Sequence, residues 1–151
     1  MRTVLLIPLS FIIIIMALFY SSYAASNKQE EYQLQVQCSK DAKAYFREMD
    51  RTRSSGPDKV NNSVNTISDY INHYNRNLNK CFILLSTTTM YDRKSREADY
   101  LIQRMLCDIN ENNCFANINI YRERVYPCEM LGKTCHTEDE WNLLVKPYME
   151  E

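Results

Sequence analysis

The segment from Ile67 to Met90, ISDYINHYNRNLNKCFILLSTTTM, determines the predicted fold. Its two arms, Ile67 to Tyr74 and Lys80 to Met90, are separated by residues 75–79, which include three asparagines. Asparagine tolerates the left-handed backbone angles that a tight turn needs. The second arm is rich in β-forming residues, and Phe82 to Leu85 is continuously apolar. The segment therefore predicts an antiparallel hairpin whose second arm is a central strand.

A second hairpin is predicted from Tyr100 to Ile109 and from Cys114 to Tyr121. If Cys107 and Cys114 face each other, most apolar side chains collect on one face. The register that this imposes pairs Met105 with Ala116, Gln103 with Ile118, and Leu101 with Ile120. Gln103 is the exception to the apolar pattern. A helix from Ser95 to Leu106 is the competing interpretation, because the segment lacks strict alternation.

An amphipathic helix is predicted from Tyr32 to Met49, where apolar and small residues recur at helical spacing. It is expected to end before the polar tract Arg51 to Asn65, the longest predicted loop. A short second helix is predicted after Thr137, whose hydroxyl should accept from the Glu140 N–H. The Glu140 carboxylate should in turn reach back to the N–H of Thr137, as in a capping box.

The buried stripe of this last helix is predicted to be Trp141, Leu144 and Val145. Pro147 should end or bend the helix, since it cannot donate a hydrogen bond and clashes with the preceding turn. Together these elements predict an α+β fold with an N-terminal helix, an antiparallel sheet of about four strands and a short C-terminal helix.

Six cysteines are expected to staple the fold through disulfides. They are Cys38, Cys81, Cys107, Cys114, Cys128 and Cys135. Sequence alone leaves many connectivities open, but local geometry favours two short bridges, Cys107 with Cys114 and Cys128 with Cys135. If both form, Cys38 is left to pair with Cys81, tying the first helix to the central strand.

The N-terminal segment has the order of features that is typical of a secretory signal peptide. Arg2 precedes an apolar run from Val4 to Tyr20, and Ser22 and Ala24 are small residues at the positions a signal peptidase requires. We expect residues 1–24 to be the signal peptide and residues 25–151 a single periplasmic or secreted domain. An uncleaved membrane anchor is the alternative, because the apolar run exceeds the usual ~7 to 15 residues.

Charge and cysteine spacing argue against nucleic-acid and metal partners. The formal net charge is -1, whereas phosphate binding needs a clustered basic surface. The close cysteine pairs are separated by six residues, whereas zinc ligands are spaced by about two to four. No metal or other cofactor is expected.

Catalytic arrangements are weak in this sequence. Cys81 with His73, or Cys135 with His136, could act as nucleophile and base only if a thiol were free. His73 with the nearby carboxylate Asp69 is the remaining candidate, on the expectation that the two lie on adjacent strands.

Eleven tyrosines are more than a small core requires. Five of them could form an aromatic binding face, because tyrosine offers a large contact area with little entropy to lose. They are Tyr70, Tyr74, Tyr91, Tyr121 and Tyr126. The alternative is that tyrosine simply suits half-buried strands.

Two segments, HYNRNLNKCFIL from His73 and CHTEDEWNLLVKPYM from Cys135, resemble parts of an uncharacterised family of small exported bacterial proteins. The resemblance implies a bacterial envelope location and assigns no catalytic residue. Our leading hypothesis is a non-enzymatic interaction module, of which an inhibitor or immunity-type protein is one form. Its expected partner is another protein of the envelope or extracellular space, with membrane contact only if the signal is retained. The alternative hypothesis is an envelope hydrolase using His73 and a nearby carboxylate.

Overall fold

The computed structural model describes residues 9–54, 64–91 and 99–150, which form two helices and seven strands. These are α1 (Leu9–Ser54), β1 (Val64–Asn75), β2 (Lys80–Tyr91), β3 (Asp99–Asp108), β4 (Asn113–Tyr121), β5 (Arg124–Val125), β6 (Cys128–Met130), β7 (Lys133–Cys135) and α2 (Glu138–Met149). The chain divides into two compact units, of which the first ends at Leu34 and the second, Gln35–Glu151, contains the whole sheet. The predicted α+β class is confirmed for these residues. The expected count of about four strands is too low, because three short strands follow β4.

Helix α1 extends past the end predicted for it. The predicted helix from Tyr32 to Met49 is confirmed, but helical structure continues to Ser54, so the first part of the predicted loop is wrong. An ion pair between Glu48 and Arg51 lies across this last turn, and the Thr52 hydroxyl donates to the carbonyl of Met49 at 2.8 Å. The predicted loop is also wrong at its other end, because Val64 and Asn65 belong to β1. Residues 55–63 of that loop and residues 1–8 of the predicted signal peptide lie outside the described residues.

The first hairpin is confirmed. β1 and β2 pair antiparallel without a register shift, from Val64 opposite Tyr91 to Asn75 opposite Lys80. Asn79 adopts a left-handed angle (φ 52°) at the turn. β2 pairs with β3 along its other edge, so it is an interior strand of the sheet as predicted.

The second hairpin is confirmed as a hairpin, but its predicted register is wrong. Cys107 does lie opposite Cys114, yet the register then shifts and Leu106 lies opposite Ala116. Beyond the shift the pairs are Met105 with Asn117, Arg104 with Ile118, Gln103 with Asn119, Ile102 with Ile120 and Leu101 with Tyr121. The bulge leaves Phe115 as the extra residue and turns the alternating apolar residues of β4 toward the side of Leu106. The competing helix is wrong from Asp99 onward, and residues 95–98 lie outside the described part of the chain.

Helix α2 begins at the predicted cap with one partner changed. The Thr137 hydroxyl accepts from the Glu140 N–H at 3.1 Å, as expected. The Glu140 carboxylate instead accepts from the N–H of His136 at 2.7 Å, because the extended backbone at Thr137 (φ -130°, ψ 159°) brings the preceding amide into reach. The predicted buried stripe is confirmed, with Trp141 and Val145 buried and Leu144 packed against the core.

Pro147 does not end helix α2, which continues to Met149. The last turn is held by the amide of Asn75 on β1, which donates to the carbonyls of Pro147 and Tyr148 at 2.9 and 3.4 Å. This tertiary contact satisfies two of the carbonyls that the end of a helix leaves without an intrahelical partner.

The two helices pack on opposite faces of the sheet. The face toward α2, called here the α2 face, contributes most of the larger core cluster. The other, called the α1 face, packs against the part of α1 around Ala42 through Ile83, Leu85 and Cys107. Cys38 of α1 is bonded to Cys81 of β2, and the two local bridges, Cys107–Cys114 and Cys128–Cys135, are also formed. The predicted connectivity is confirmed.

Candidate functional site

A row of uncharged polar side chains crosses four strands on the α1 face. Its members are Ser68, Thr87, Gln103 and Asn119, each directly opposite the next. The Ser68 and Thr87 hydroxyl oxygens lie 3.4 Å apart, and the Gln103 Nε2 donates to Asn119 Oδ1 at 3.0 Å. This polar row is continuous across the sheet because successive strands pair without a further shift in this region.

The adjoining row of side chains is covered by α1 only in part, since Asn117 at its β4 end is exposed. Tyr70 stacks on Phe46 of α1 with ring centroids 4.7 Å apart, and Leu85 and Met105 belong to the same cluster. A small gap lies between Met49 of α1 and the polar-row residues Ser68 and Thr87.

Three members of the polar row, Thr87, Gln103 and Asn119, line an open groove of ≈ 280 Å³. Its remaining lining includes Leu85, Met105 and Asn117. Arg104 also borders the groove, but its guanidinium donates to Glu138 of α2 at 2.6 Å, on the other side of the sheet. The groove thus combines an apolar floor with hydroxyl and amide groups.

The amides of this groove retain hydrogen-bonding capacity. A carboxamide carries two N–H donors and an oxygen with two lone pairs. The Gln103–Asn119 bond uses one donor of the first residue and one lone pair of the second. Both side chains are half-buried, so a ligand can reach their remaining donors and acceptors.

The five predicted tyrosines divide into two groups. By strand alternation, Tyr70, Tyr74, Tyr91 and Tyr121 all lie on the α1 face. Tyr70 is covered by Phe46, and the Tyr74 hydroxyl donates to Asn79 at 2.6 Å, so both have structural contacts. Tyr91 lies opposite Asp99 at the far end of β2.

Tyr121 and Tyr126 lie near Asn119, at the β4 end of the polar row. Tyr121 is two residues along β4 from Asn119, and the Arg122 guanidinium lies 5.6 Å from its ring centroid. Tyr126 is 44% exposed, and its backbone N–H donates to the Asn119 carbonyl at 2.9 Å. The sheet therefore brings these two predicted tyrosines to one end of the polar row.

Asp69 and His73 do not converge. Both belong to β1 rather than to adjacent strands, and a rise of about 3.3 Å per residue places their Cα atoms roughly 13 Å apart. His136 precedes α2 and donates its backbone N–H to Glu140. Cys81 and Cys135 are both in disulfides, so neither offers a thiol to a neighbouring histidine.

A cluster of three charged residues stabilises the turn between β3 and β4. Lys80 donates to Asp108 at 2.7 Å and to Glu111, while Asp108 Oδ1 accepts the backbone N–H groups of Asn110 and Glu111 at 3.0 and 3.2 Å. The hydrogen bonds to Asp108 and Glu111 raise the pKa of the Lys80 ammonium. This cluster therefore links the start of β2 to the turn between β3 and β4.

Tyr45 of α1 reaches the Cys107–Cys114 disulfide. Its hydroxyl lies 3.4 Å from the Sγ of Cys114, and burial raises the pKa of the Tyr45 phenol. Among the residues that the structure describes, no three His, Cys, Asp or Glu side chains lie close enough together to hold a metal ion.

The groove residues Thr87, Asn117 and Asn119 did not emerge as a site from the sequence, although two signals pointed toward them. Gln103 interrupted the otherwise apolar face of the second hairpin, and Asn117 and Asn119 alternate with Ala116, Ile118 and Ile120. The bulge then determines that Gln103 and Asn119 are direct neighbours.

Comparison of the chain with known protein families, with characterised proteins and with solved structures finds no match. None of the helices within the described ranges is both long and apolar enough to cross a membrane.

Proposed function

We propose that this chain is an exported, non-enzymatic interaction module that binds another protein through the open groove on the α1 face. The observation that carries the proposal is the polar row of Ser68, Thr87, Gln103 and Asn119, which ends near Tyr121 and Tyr126.

The composition of the groove favours a protein partner. Protein interfaces typically combine an apolar centre, scattered hydrogen-bonding groups and enriched tyrosine, with few charges at the core. Leu85 and Met105 supply the apolar floor, and Gln103 and Asn119 supply the hydrogen bonds. Tyr121 lies two residues along β4 from Asn119. Carboxamides and hydroxyls of this kind do not titrate near neutral pH, which favours binding over acid–base catalysis.

The proposed location is the periplasm or the extracellular space of a bacterium. Three disulfides in a domain of this size suit an oxidising compartment, and the apolar run before Ala24 suits a cleaved signal. The intact mass of protein recovered from its natural host tests this step. We expect the mass of residues 25–151 less six hydrogens, whereas a mass that includes residues 1–24 would contradict cleavage.

Site-specific photo-crosslinking tests the binding surface. A photoreactive amino acid replaces the exposed Asn117 in the full chain, and the protein is irradiated in its host. We expect one discrete adduct, and a second substitution, Asn119→Lys, should abolish it because a lysine side chain would project into the groove. Mass spectrometry of the adduct then identifies the partner peptide.

The matched control uses α2, on the opposite face of the sheet. The same photoreactive group at the exposed Asn142 should not form this adduct, and Asn142→Lys should leave the Asn117 adduct intact. An adduct at Asn117 that survives Asn119→Lys, or that also forms from Asn142, would contradict the proposal. Urea denaturation of each variant verifies that the fold is retained.

A further inference from the structure

Strand β1 forms one edge of the sheet. The strand order begins at β1, and its only strand partner within the described residues is β2. It is 12 residues long, and it contains neither proline nor lysine, the residues that most often protect an edge from pairing.

Side chains cap part of this edge in place of a strand. The Tyr74 N–H donates to Gln35 Oε1 at 2.9 Å, and the Tyr70 N–H donates to Asp69 Oδ1 at 2.7 Å. Because backbone groups alternate between the two sides of a strand, the even-numbered residues of β1 direct their N–H and C=O groups outward. A partner strand would therefore form its hydrogen bonds with the even-numbered residues.

The odd-numbered residues of the same edge present a distinct pattern of side chains on the α2 face. Ile67 and Ile71 are 60% and 59% exposed, and the exposed Asp69 lies between them. In an added antiparallel strand these three would occupy non-hydrogen-bonded pairs, where opposing side chains approach most closely. The edge thus presents apolar, acidic and apolar side chains at alternate positions.

We propose that β1 recruits an extended segment of a partner protein as an additional antiparallel strand, with a basic residue opposite Asp69 and apolar residues two positions to either side. The negative charge of Asp69 is the feature that favours a partner strand with a basic residue at this position. The backbone supplies affinity, and the alternating side chains supply specificity, as in other cases of strand addition. The Asp69 carboxylate releases the Tyr70 N–H to the new strand and pairs with the incoming cation.

A second copy of this chain fits the edge less well. Antiparallel pairing of β1 with itself about Asp69 would place two carboxylates directly opposite each other, which is unfavourable. The surface is separate from the groove on the α1 face, so each can be tested without the other.

A synthetic peptide tests the proposal on the full chain. The probe is a blocked, fluorescently labelled 11-residue peptide of alternating threonines with the centre Val-Thr-Lys-Thr-Val, and a matched peptide carries Glu in place of Lys. We expect fluorescence anisotropy to show about tenfold tighter binding of the lysine peptide. Asp69→Lys should reverse this preference, whereas Glu129→Lys, which makes the same charge change at an exposed residue of β6, should leave it unchanged.

Two further measurements separate strand addition from simple charge attraction. N-methylation of the two threonines beside the lysine should abolish binding, because their N–H groups face the edge of β1. Amide hydrogen exchange at Thr66 and Asn72 should slow when the unmodified peptide is bound. The proposal is overturned if the lysine peptide does not bind at millimolar concentration, if the N-methylated peptide binds equally well, or if Asp69→Lys has no effect. Asn119→Lys should leave peptide binding unchanged, which distinguishes this surface from the groove.

Discussion

The two faces of the sheet have different tasks. On the α2 face, Trp141 and Val145 pack against an apolar surface that includes Phe82, Leu106 and Ile118, and this cluster is the larger core. On the α1 face the apolar contact is smaller and gives way to the polar row and the open groove. The difference indicates that stability depends mainly on the α2 face, so substitutions in the uncovered half of the α1 face should cost less stability.

The largest loss of stability is expected from Trp141→Ala. Trp141 is 0% exposed, so its removal should lower the free energy of unfolding by an amount near the top of the roughly 3–5 kcal/mol range for large-to-small core changes. Urea denaturation followed by circular dichroism measures this loss. The control is Leu143→Ala on the same helix, where 69% exposure predicts a change within about 0.5 kcal/mol. Similar losses for the two variants would contradict the assignment of the main core to the α2 face.

The next largest effect is expected from removal of the Cys38–Cys81 bridge, the main covalent tie between α1 and the sheet. Its sequence separation is 43, against 7 for Cys128–Cys135. Chain-entropy arguments give about 4 kcal/mol for the long loop and about 2.5 kcal/mol for the short one. Double Cys→Ala variants of each pair, compared by urea denaturation, should lose stability in that order. Equal losses would show that the bridge does not act through loop closure.

Asn75→Ala should destabilise the protein by roughly 2 kcal/mol. Asn75 is 1% exposed. Its amide donates to a carbonyl in the last turn of α2 and accepts from the N–H of Leu78. Removing it leaves these buried polar groups without hydrogen-bond partners. Asn77→Ala, in the exposed turn of the same hairpin, is the matched control and should have little effect. Faster hydrogen exchange confined to the last turn of α2 would locate the effect there. An Asn75→Ala variant as stable as the control would contradict the proposed role.

The local elements follow from sequence because their signals are local. Helix and strand periodicity, the asparagine turn and the Thr137 cap each depend on residues within a few positions of one another. The register of the second hairpin depends on a bulge at Phe115, and the apolar spacing of the two strands is compatible with either alignment. The candidate groove could not be predicted for the same reason, because Gln103 and Asn119 become neighbours only in the shifted register.

Lys80→Met should change how steeply the stability of the fold falls at alkaline pH. Hydrogen bonds to Asp108 and Glu111 raise the pKa of Lys80 in the folded state, so its contribution is fully present below the unfolded pKa of about 10.4 and is lost as pH rises through the higher folded value. Urea midpoints measured from pH 8 to pH 12 should fall more steeply for the wild type than for Lys80→Met. The two proteins differ only at residue 80, so the difference between the two curves isolates the contribution of Lys80. If the urea midpoints of the wild type and of Lys80→Met fall in parallel with pH, the raised pKa of Lys80 is contradicted.

The smallest effect on stability is expected from a substitution in the groove. Its contrast with the large loss expected on the α2 face is the sharpest test of the difference between the two faces. Asn119→Ala removes the acceptor for Gln103, but both side chains are half-buried and water can replace the lost bond, so the free energy of unfolding should change by less than about 0.5 kcal/mol. The same substitution should weaken the Asn117 photo-adduct, because it removes a donor and acceptor from the groove. Urea denaturation and crosslinking yield, measured on one preparation, test both statements. A stability loss comparable to that of Asn75→Ala would mean that the polar row is part of the structural framework rather than a surface kept for binding.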